Sequence, residues 1–351
     1  MKVIVDNKIP YIQGVIEGLG GDIPYEVVYV PGMKFTKEIV RDADALIIRT
    51  RTHCNRGLLE GSKVKFIATA TIGYDHIDTD YCRESGIAWT NAPGCNSASV
   101  AQYIHSTLLL LEKEKGFTLK GKCIGVVGVG NVGSKVCKVA LSLGMRVLMN
   151  DLPRADKEGT SQFTDLETIA RECDVITFHT PLHKEGKYKT YHLANTAFFS
   201  SLKRCPVIIN TSRGEVTETS ALLSALKKKQ IQEAVIDVWE NEPNINLELL
   251  EKVFIGTPHI AGYSADGKAN ATRMSLESFC RFFQINPNFE IHPPKPDNQV
   301  IKASTEAEAY LQIYNPKRDS KALKTHPELF EQLRGDYPLR REKEAYTFQI
   351  I

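Results

Sequence analysis

Three side chains that could bind an anion and exchange a proton each follow a short apolar segment of the sequence. Arg213 lies in "NTSRG", Glu242 in "DVWENEP" and His259 in "GTPHIAG". A guanidinium can hold a carboxylate through two parallel hydrogen bonds, and a carboxylate beside an imidazole orients the ring and stabilises its protonated form. One histidine alone is more often structural, but these residue types in this order predict an acid/base pair beside an anion-binding group.

The elements that would position these residues are indicated by apolar runs that alternate with helix-sized segments. Residues 1–92 contain five strand-like runs, and six more follow from residue 122, which is typical of a doubly wound dinucleotide-binding fold. Residues 96–116 and 265–283 each predict one long helix. Because the carboxyl ends of parallel strands share one edge of a sheet, we expect the three side chains at that edge, where ligands bind.

A nucleotide site is predicted by the stretch "GVVGVGNVG", which places Gly128, Gly130 and Gly133 between an apolar run and a helix-like segment. The first glycine permits a tight turn, the second lets the backbone approach a pyrophosphate and the third lets the helix pack closely. Asp151 ends the next strand-like run, where a carboxylate accepts hydrogen bonds from ribose hydroxyls and repels the extra phosphate of NADP. NAD is therefore the expected cofactor, and Arg154 leaves NADP as the alternative.

The composition argues against several other classes of function. The chain has 44 Lys and Arg against 42 Asp and Glu, a formal net charge of +2, so we expect no nucleic-acid partner. Its longest leucine run, "LLLL", is much shorter than a membrane span, so we expect no membrane contact. The eight cysteines lack a C-x-x-C pair and the histidines lack metal-ligand spacing, which predicts buried, reduced thiols, no metal site and a cytoplasmic location.

Five ordered stretches, "GVGNVG", "HTPL", "NTSRG", "DVWENEP" and "TPHIAG", resemble the D-isomer-specific 2-hydroxyacid dehydrogenases. The resemblance implies that His259 is the proton donor and acceptor, Glu242 its partner and Arg213 the substrate-polarising residue, with NAD taking the hydride. The stretches "TATIGYDHID" and "NAPGCNSASVAQY" and the C-terminal tail narrow the resemblance. They are similar to the branch of the family that oxidises a small phosphorylated hydroxy acid at carbon 2.

The same resemblance implies further ligand contacts. For NAD it implies the glycine loop and polar groups at later strand ends: Gly128, Gly130, Asn131, Val132, Gly133, Asp151, Thr180, Thr211, Ser212, Arg213, Asp237 and Gly262. For the substrate it implies Thr50, Thr71 and Tyr263. From the residues themselves we add Arg49 as a phosphate contact, with Arg51 as the alternative.

The expected architecture is α/β, with two doubly wound parallel-sheet domains and a small C-terminal α+β domain. Residues 1–95 and 262–283 are expected to form a flavodoxin-like substrate-binding domain, and residues 96–261 a Rossmann NAD-binding domain. The resemblance implies that residues 284–351 are a dimerisation domain, so the protein is expected to be a homodimer. Tyr74 stands where a smaller residue is expected, which could trim the substrate pocket.

Two alternative functions stay open on the sequence alone. One is another dehydrogenase of the same family, such as one acting on 3-phosphoglycerate, although "APGCN" and the tail argue against it. The other is a non-catalytic, NAD(H)-sensing corepressor on the same fold, because a fold does not fix a function. The presence of Arg213, Glu242 and His259 together favours an enzyme.

Overall fold

The structure, a computed structural model, describes residues 1–19 and 24–351 and divides into two units. The first unit comprises Met1–Asn96 and Ser264–Lys295. The second comprises Ser97–Tyr263 and Pro296–Ile351. The three domains expected from the sequence were defined by their functions, whereas these two units are defined by packing. The boundaries of the three domains therefore stay a prediction.

The elements alternate along the chain in the order that the apolar runs predict. The strands are β1 (Lys2–Asp6), β2 (Glu26–Val30), β3 (Ala45–Ile48), β4 (Phe66–Thr69), β5 (Ala88–Thr90), β6 (Cys123–Val127), β7 (Arg146–Asn150), β8 (Val175–Phe178), β9 (Val207–Asn210), β10 (Glu233–Ile236), β11 (Ile255–Gly256), β12 (Val300–Ala303) and β13 (Thr347–Ile350). The helices are α1 (Lys37–Val40), α2 (Arg56–Leu59), α3 (Thr79–Glu84), α4 (Ser97–Lys115), α5 (Asn131–Ser142), α6 (Leu152–Glu158), α7 (Leu166–Glu172), α8 (Thr196–Ser201), α9 (Thr219–Lys227), α10 (Leu247–Lys252), α11 (Ala265–Phe283), α12 (Glu306–Ile313), α13 (Pro316–Thr325) and α14 (Phe330–Gly335).

The first unit is built on a parallel sheet of five strands in the order β2-β1-β3-β4-β5. This is the flavodoxin-like order, as the sequence predicts. Every residue of β3 and β4 is buried because the sheet is covered on both faces. On one face the aromatic rings of Phe66 and Phe279 lie 6.4 Å apart, which packs α11 against β4. The two chain segments of this unit therefore share one core.

The second unit contains a parallel sheet of six strands in the order β11-β10-β9-β8-β6-β7. The order reverses beside β6, whose neighbours are β7 and β8, and ligands bind at such a switch point in doubly wound folds. Alternate residues of each strand enter different core clusters, as Ile208 and Ile209 of β9 do. The predicted Rossmann-type sheet is confirmed.

The C-terminal residues form a small parallel pair, β12 and β13, packed with α12 around Ile301, Ala303 and Ala309. The predicted small C-terminal α+β element is therefore present. The other two helices between these strands, α13 and α14, pack elsewhere, since Leu323 and Phe330 belong to a core cluster of the six-stranded sheet. Helices α13 and α14 thus pack on the six-stranded sheet of their own unit.

Two further expectations concern the surface and the cysteines. Within the described ranges, none of the helices combines the length and apolar content needed to cross a membrane. Seven of the eight cysteines are buried, but Cys205 is exposed, which differs from the expectation. Cys205 lies in the loop before β9 with a φ of 48°, so its side chain is not part of a core-facing element.

Candidate active site

The glycine loop after β6 is shaped by contacts that exclude a side chain at two of its three glycines. At Gly128, which has a φ of 88°, a Cβ atom would lie 2.8 Å from the carbonyl of His179 and 2.9 Å from Cγ2 of Thr180. At Gly133 a Cβ atom would lie 2.0 Å from the Gly128 oxygen. At Gly130 nothing lies within 4 Å of that position. The outer glycines are therefore required by packing, and the middle one leaves the backbone open to an approaching group.

The start of α5 and the end of β7 complete this loop. Helix α5 follows Gly130, which offers no side-chain cap, so its first N–H groups can bind an anion. Asp151 accepts hydrogen bonds from the N–H of Val129 at 2.8 Å and of Arg154 at 3.1 Å. The Arg154 guanidinium is paired with Glu158, at 2.8 and 2.7 Å. Asp151 thus fixes the loop. Arg154, which left NADP as the alternative cofactor, is paired with the carboxylate of Glu158.

Three threonines and a histidine lie at or near the ends of β8 and β9. Within the described part of the chain, the buried Oγ1 of Thr180 has no hydrogen-bond partner. The His179 ring contacts Oγ1 of Thr177 at 2.9 Å and Oγ1 of Thr211 at 3.3 Å. Burial lowers the pKa of His179 to about 3, so this ring is neutral and does not titrate near neutral pH.

These features fit a dinucleotide. They comprise an approachable glycine, an uncapped helix N-terminus and a buried hydroxyl whose missing partner a ligand would supply. Among the described residues, no group of three or more His, Cys, Asp or Glu side chains could hold a metal ion.

His259 and Glu242 form the pair that the sequence predicts. Nδ1 of His259 lies 2.8 Å from Oε2 of Glu242, and Oε1 of Glu242 accepts the N–H of Trp239 at 2.9 Å. Because a carboxylate only accepts, Nδ1 carries the proton and Nε2 of the neutral ring can take up another. The side chains of His259 and Glu242 are 29% and 18% exposed, so the pair is sheltered but reachable.

The electrostatic balance at Glu242 favours its charged form. Burial opposes ionisation, but the hydrogen bond and charge of His259 act in the other direction. The N–H of Trp239 and the charge of Arg334 add to this effect, and together these groups lower the pKa of Glu242. The carboxylate is therefore ionised at neutral pH and can stabilise a protonated His259.

A second carboxylate, Asp237, holds the loop that carries His259. His259 has a φ of 57°, which is unfavourable for a residue with a side chain, and its N–H donates to the Asp237 carbonyl oxygen at 2.8 Å. The Asp237 carboxylate accepts from Oγ1 of Thr257 at 2.6 Å and from the N–H groups of Ile260 and Ala261 at 2.8 and 3.0 Å. Burial raises the pKa of Asp237, against the opposing effects of His259 and these hydrogen bonds.

The same loop is held from its other side by Arg340. This guanidinium is 3% exposed and donates to the carbonyl oxygens of Ile260 at 3.3 Å and Ala261 at 2.6 Å. The two residues after His259, Ile260 and Ala261, therefore lie between a buried carboxylate and a buried guanidinium. This arrangement maintains the backbone conformation of the histidine.

Arg213 lies in a turn after β9 that is pressed against the loop carrying the glutamate. The buried side chain of Asn210 accepts from the N–H of Ser212 at 3.0 Å and donates to the Arg213 carbonyl oxygen at 2.9 Å. A Cβ atom on Gly214 would lie 2.0 Å from the carbonyl carbon of Trp239. The structure thus brings the arginine, glutamate and histidine to the ends of the neighbouring strands β9, β10 and β11.

Tyr263 lies beyond this loop and contacts the C-terminal segment. Its hydroxyl accepts a hydrogen bond of 3.1 Å from Nε of Arg334. Nη1 of Arg334 also lies 3.8 Å from Oε2 of Glu242. The preceding residue, Gly262, is half-buried.

In the first unit, Arg49 and Thr50 lie in a loop because β3 ends at Ile48. The alternation of a strand therefore does not decide between Arg49 and Arg51. Nη1 of Arg49 donates to the Lys8 carbonyl oxygen at 3.0 Å, and Thr50 is exposed. Arg51 lines a surface pocket of the same unit.

Thr71 belongs to a chain of hydroxyl contacts at the end of β4. Its Oγ1 donates to the Gly73 carbonyl oxygen at 2.8 Å and lies 2.7 Å from Oγ1 of Thr69, which in turn lies 3.0 Å from Nε2 of His76. Burial lowers the pKa of His76 to about 4, so the ring is a neutral, structural group. The ring of Tyr74 packs at 4.9 Å from that of Trp89.

Comparison with known proteins places the chain in a family. Residues 101–261 match the family model described as D-isomer specific 2-hydroxyacid dehydrogenase, NAD binding domain. An erythronate-4-phosphate dehydrogenase from Bacteroides fragilis is 67% identical over 350 residues, which cover 100% of this chain and 99% of the relative. The chain belongs to the D-isomer-specific 2-hydroxyacid dehydrogenase family.

Other members of the family support the same assignment. An erythronate-4-phosphate dehydrogenase from Proteus mirabilis is 42% identical, with 97% of this chain and 93% of the relative covered. The structure of a D-lactate dehydrogenase from Aquifex aeolicus, complexed with NAD and lactic acid, has a TM-score of 0.66 and 27% identity. It covers 81% of this chain and 96% of its own. As a member of the 2-hydroxyacid dehydrogenases, the protein is an NAD-dependent oxidoreductase, which confirms the predicted class and cofactor.

Two residues that contact this candidate site were not predicted from the sequence. Arg334 and Arg340 lie in a segment whose mixed charges and aromatic residues show no periodic pattern, so nothing local distinguishes them from surface arginines. The low exposure of Arg340 becomes visible only when the tertiary contacts are known. Asp237 was predicted as an NAD contact, and its loop-holding hydrogen bonds were not foreseen.

Proposed function

We propose that the protein oxidises 4-phospho-D-erythronate at carbon 2 to (R)-3-hydroxy-2-oxo-4-phosphooxybutanoate, in the biosynthesis of pyridoxal 5'-phosphate. The main support for this chemistry is the 2.8 Å hydrogen bond between His259 and Glu242. Both residues lie at strand ends, next to the turn that contains Arg213. The substrate is indicated by the name of relatives that match at least 97% of the chain.

The reaction removes one proton and one hydride from the alcohol. Nε2 of His259 accepts the hydroxyl proton, because Glu242 holds the ring with its hydrogen on Nδ1. The chemistry that NAD supplies when bound is acceptance of the hydride from carbon 2, which leaves a carbonyl group and NADH. Glu242 stabilises the imidazolium, and the proton then passes to solvent. Arg213 holds the substrate carboxylate and polarises the adjacent oxygen.

We further propose the residues that bind each ligand. For NAD they are Gly128, Gly130, Asn131, Val132, Gly133, Asp151, Thr180, Thr211, Ser212, Arg213, Asp237 and Gly262. For the substrate they are Thr50, Thr71, Tyr263 and Arg49. The open backbone at Gly130 and the partnerless hydroxyl of Thr180 support the cofactor set. Hydroxyls and an arginine are suited to bind the oxygens of a carboxylate or phosphate, which supports the substrate set.

We also propose that the protein is a cytoplasmic homodimer whose subunits associate through the C-terminal residues 284–351. Large apolar side chains are exposed on this segment, including Leu339, Ile350 and Ile351 at 52%, 51% and 79%. Seven buried, free thiols suit a reducing compartment. Sedimentation velocity of the purified chain tests the dimer, and fractionation of cells tests the location.

The substrate is tested by following NADH absorbance with three acids offered separately. We expect 4-phospho-D-erythronate to be oxidised with a kcat/KM well above that for 3-phosphoglycerate and for unphosphorylated erythronate. Activity with 3-phosphoglycerate alone would instead assign the protein to another dehydrogenase of the same family. Measurable NAD binding without oxidation of any of the three would support the non-catalytic alternative.

A further inference from the structure

The C-terminal segment contributes an arginine to the site of the catalytic pair. Helix α14 is anchored by Phe330, which is 1% exposed and belongs to the same core cluster as Trp239. Leu333 packs against that cluster from the next turn. Arg334 follows directly, and its side chain is only 25% exposed. The buried Phe330 and the half-buried Leu333 therefore fix the position from which the Arg334 side chain extends.

The contacts of Arg334 connect two groups of the site. Its Nε donates to the hydroxyl of Tyr263 at 3.1 Å. Its Nη1 lies 3.8 Å from Oε2 of Glu242, the same oxygen that lies 2.8 Å from Nδ1 of His259. When His259 takes up a proton, that single carboxylate faces two cations. The charge of Arg334 therefore weakens the hold of Glu242 on the protonated histidine.

We propose that Arg334 is a positioning residue of the dehydrogenase site, which fixes Tyr263 through a hydrogen bond and shares the Glu242 carboxylate with His259. The inference rests on the proposed function, in which Tyr263 contacts the substrate. The charged and titratable groups near the pair include Arg213 after β9 and Asp237 after β10. They also include Tyr263, Arg334 and Glu331 on α14, and Arg340 next to the loop. Of these, Arg334 contacts both Tyr263 and Glu242.

The test compares Arg334→Gln, which removes the charge, with Arg334→Lys, which retains it but lacks the planar donor group. In Arg334→Gln we expect KM for 4-phospho-D-erythronate to rise about tenfold, while kcat changes less than about threefold. The acid limb of kcat/KM should move about half a unit to higher pH, because Glu242 then acts on His259 alone. Arg334→Lys should restore the limb but not KM. Lys321→Gln, which removes an exposed cation from α13, should change neither.

A measurement without substrate separates this inference from the proposed function. The carboxyl NMR signal of Glu242 in the free enzyme should titrate at a higher pH in Arg334→Gln than in the unaltered protein or in Lys321→Gln. Unchanged KM, an unmoved limb and an unmoved Glu242 titration would overturn the role of Arg334. Failure of the unaltered enzyme to oxidise the acid would instead contradict the proposed function, and the Glu242 titration would still decide on Arg334.

Discussion

At His259 the proposed proton chemistry and the backbone geometry depend on two different carboxylates. Glu242 contacts the imidazole at 2.8 Å, whereas Asp237 accepts hydrogen bonds from the two peptide groups that follow. The positive φ of 57° costs free energy, on the order of 1–3 kcal/mol for a strained residue, which those contacts offset. Replacing Glu242 should therefore change the chemistry without displacing the loop.

The substitution Glu242→Gln tests the proton chemistry at residue scale. Glutamine keeps an acceptor for Nδ1 of His259 but removes the charge that stabilises the imidazolium. We expect kcat/KM to fall about a hundredfold and its acid limb to move to lower pH, opposite to the shift in Arg334→Gln. The pH profile measures both effects. Glu251→Gln, an exposed glutamate on α10, should leave the profile unchanged, and an unmoved limb in Glu242→Gln would argue against the pair.

The Glu242→Gln variant should also change the pH dependence of the stability of the folded protein. Burial raises the pKa of Glu242, but the contacts with His259, Trp239 and Arg334 outweigh it, so the folded pKa lies below its ordinary value. A lowered pKa means that the stabilisation is complete above the ordinary value and is lost as pH falls through the folded value. The unfolding temperature of Glu242→Gln should therefore be lower than that of the unaltered protein at neutral pH. The two unfolding temperatures should converge in acid.

At the scale of elements, buried runs were well predicted because burial on both faces requires continuous apolar sequence. The run in "KCIGVV" corresponds to β6, and the helix expected over 265–283 is α11. The resemblance implied a small α+β domain at the C-terminus, but the positions and pairing of β12 and β13 were not predicted. Its strands show mixed exposed and buried residues and come from segments far apart in the chain, so no local pattern indicates the pairing.

A substitution in the glycine loop after β6 tests the predicted NAD site. In Gly130→Ala the added Cβ meets nothing within 4 Å, so the free energy of unfolding should change by less than about 1 kcal/mol. The methyl group would still occupy the approach of a pyrophosphate, and we expect the Kd for NAD to rise at least about tenfold. Isothermal titration and thermal unfolding measure the two quantities.

A neighbouring glycine supplies the contrast. In Gly133→Ala the Cβ would lie 2.0 Å from a backbone oxygen, so this variant should lose stability as well as NAD binding. Undiminished NAD binding in Gly130→Ala would place the pyrophosphate elsewhere.

For the whole molecule, the sequence predicts the class of enzyme but not the part that the C-terminal segment takes in the site. Arg213, Glu242 and His259 each follow a strand, so the edge rule of parallel sheets brings them together. Arg334 and Arg340 reach the same region from helices and loops that follow no such rule. The position of Arg334 depends on how Phe330 packs against the six-stranded sheet, and that of Arg340 on its contacts with the carbonyl oxygens of Ile260 and Ala261.

The proposed dimer is tested by charging its exposed apolar residues. Leu339→Glu and Ile350→Lys place a charge on side chains that are 52% and 51% exposed, where burial in an interface would make it costly. We expect sedimentation velocity to show a shift from dimer toward monomer. Met33→Glu, at an 81% exposed residue of the first unit, is the matched control and should stay dimeric. A dimer that persists in both C-terminal variants would place the interface elsewhere.

The proposed role of His259 is tested most directly by the turnover of His259→Gln with 4-phospho-D-erythronate and NAD. Glutamine cannot accept the hydroxyl proton, and Asp237 and Arg340 still hold the backbone of the loop. We predict that kcat/KM falls about a thousandfold while the Kd for NAD stays within about twofold of the unaltered protein. A kcat/KM within a few-fold of the unaltered enzyme, or an equal loss of NAD affinity, would contradict the assignment of His259 as the proton acceptor.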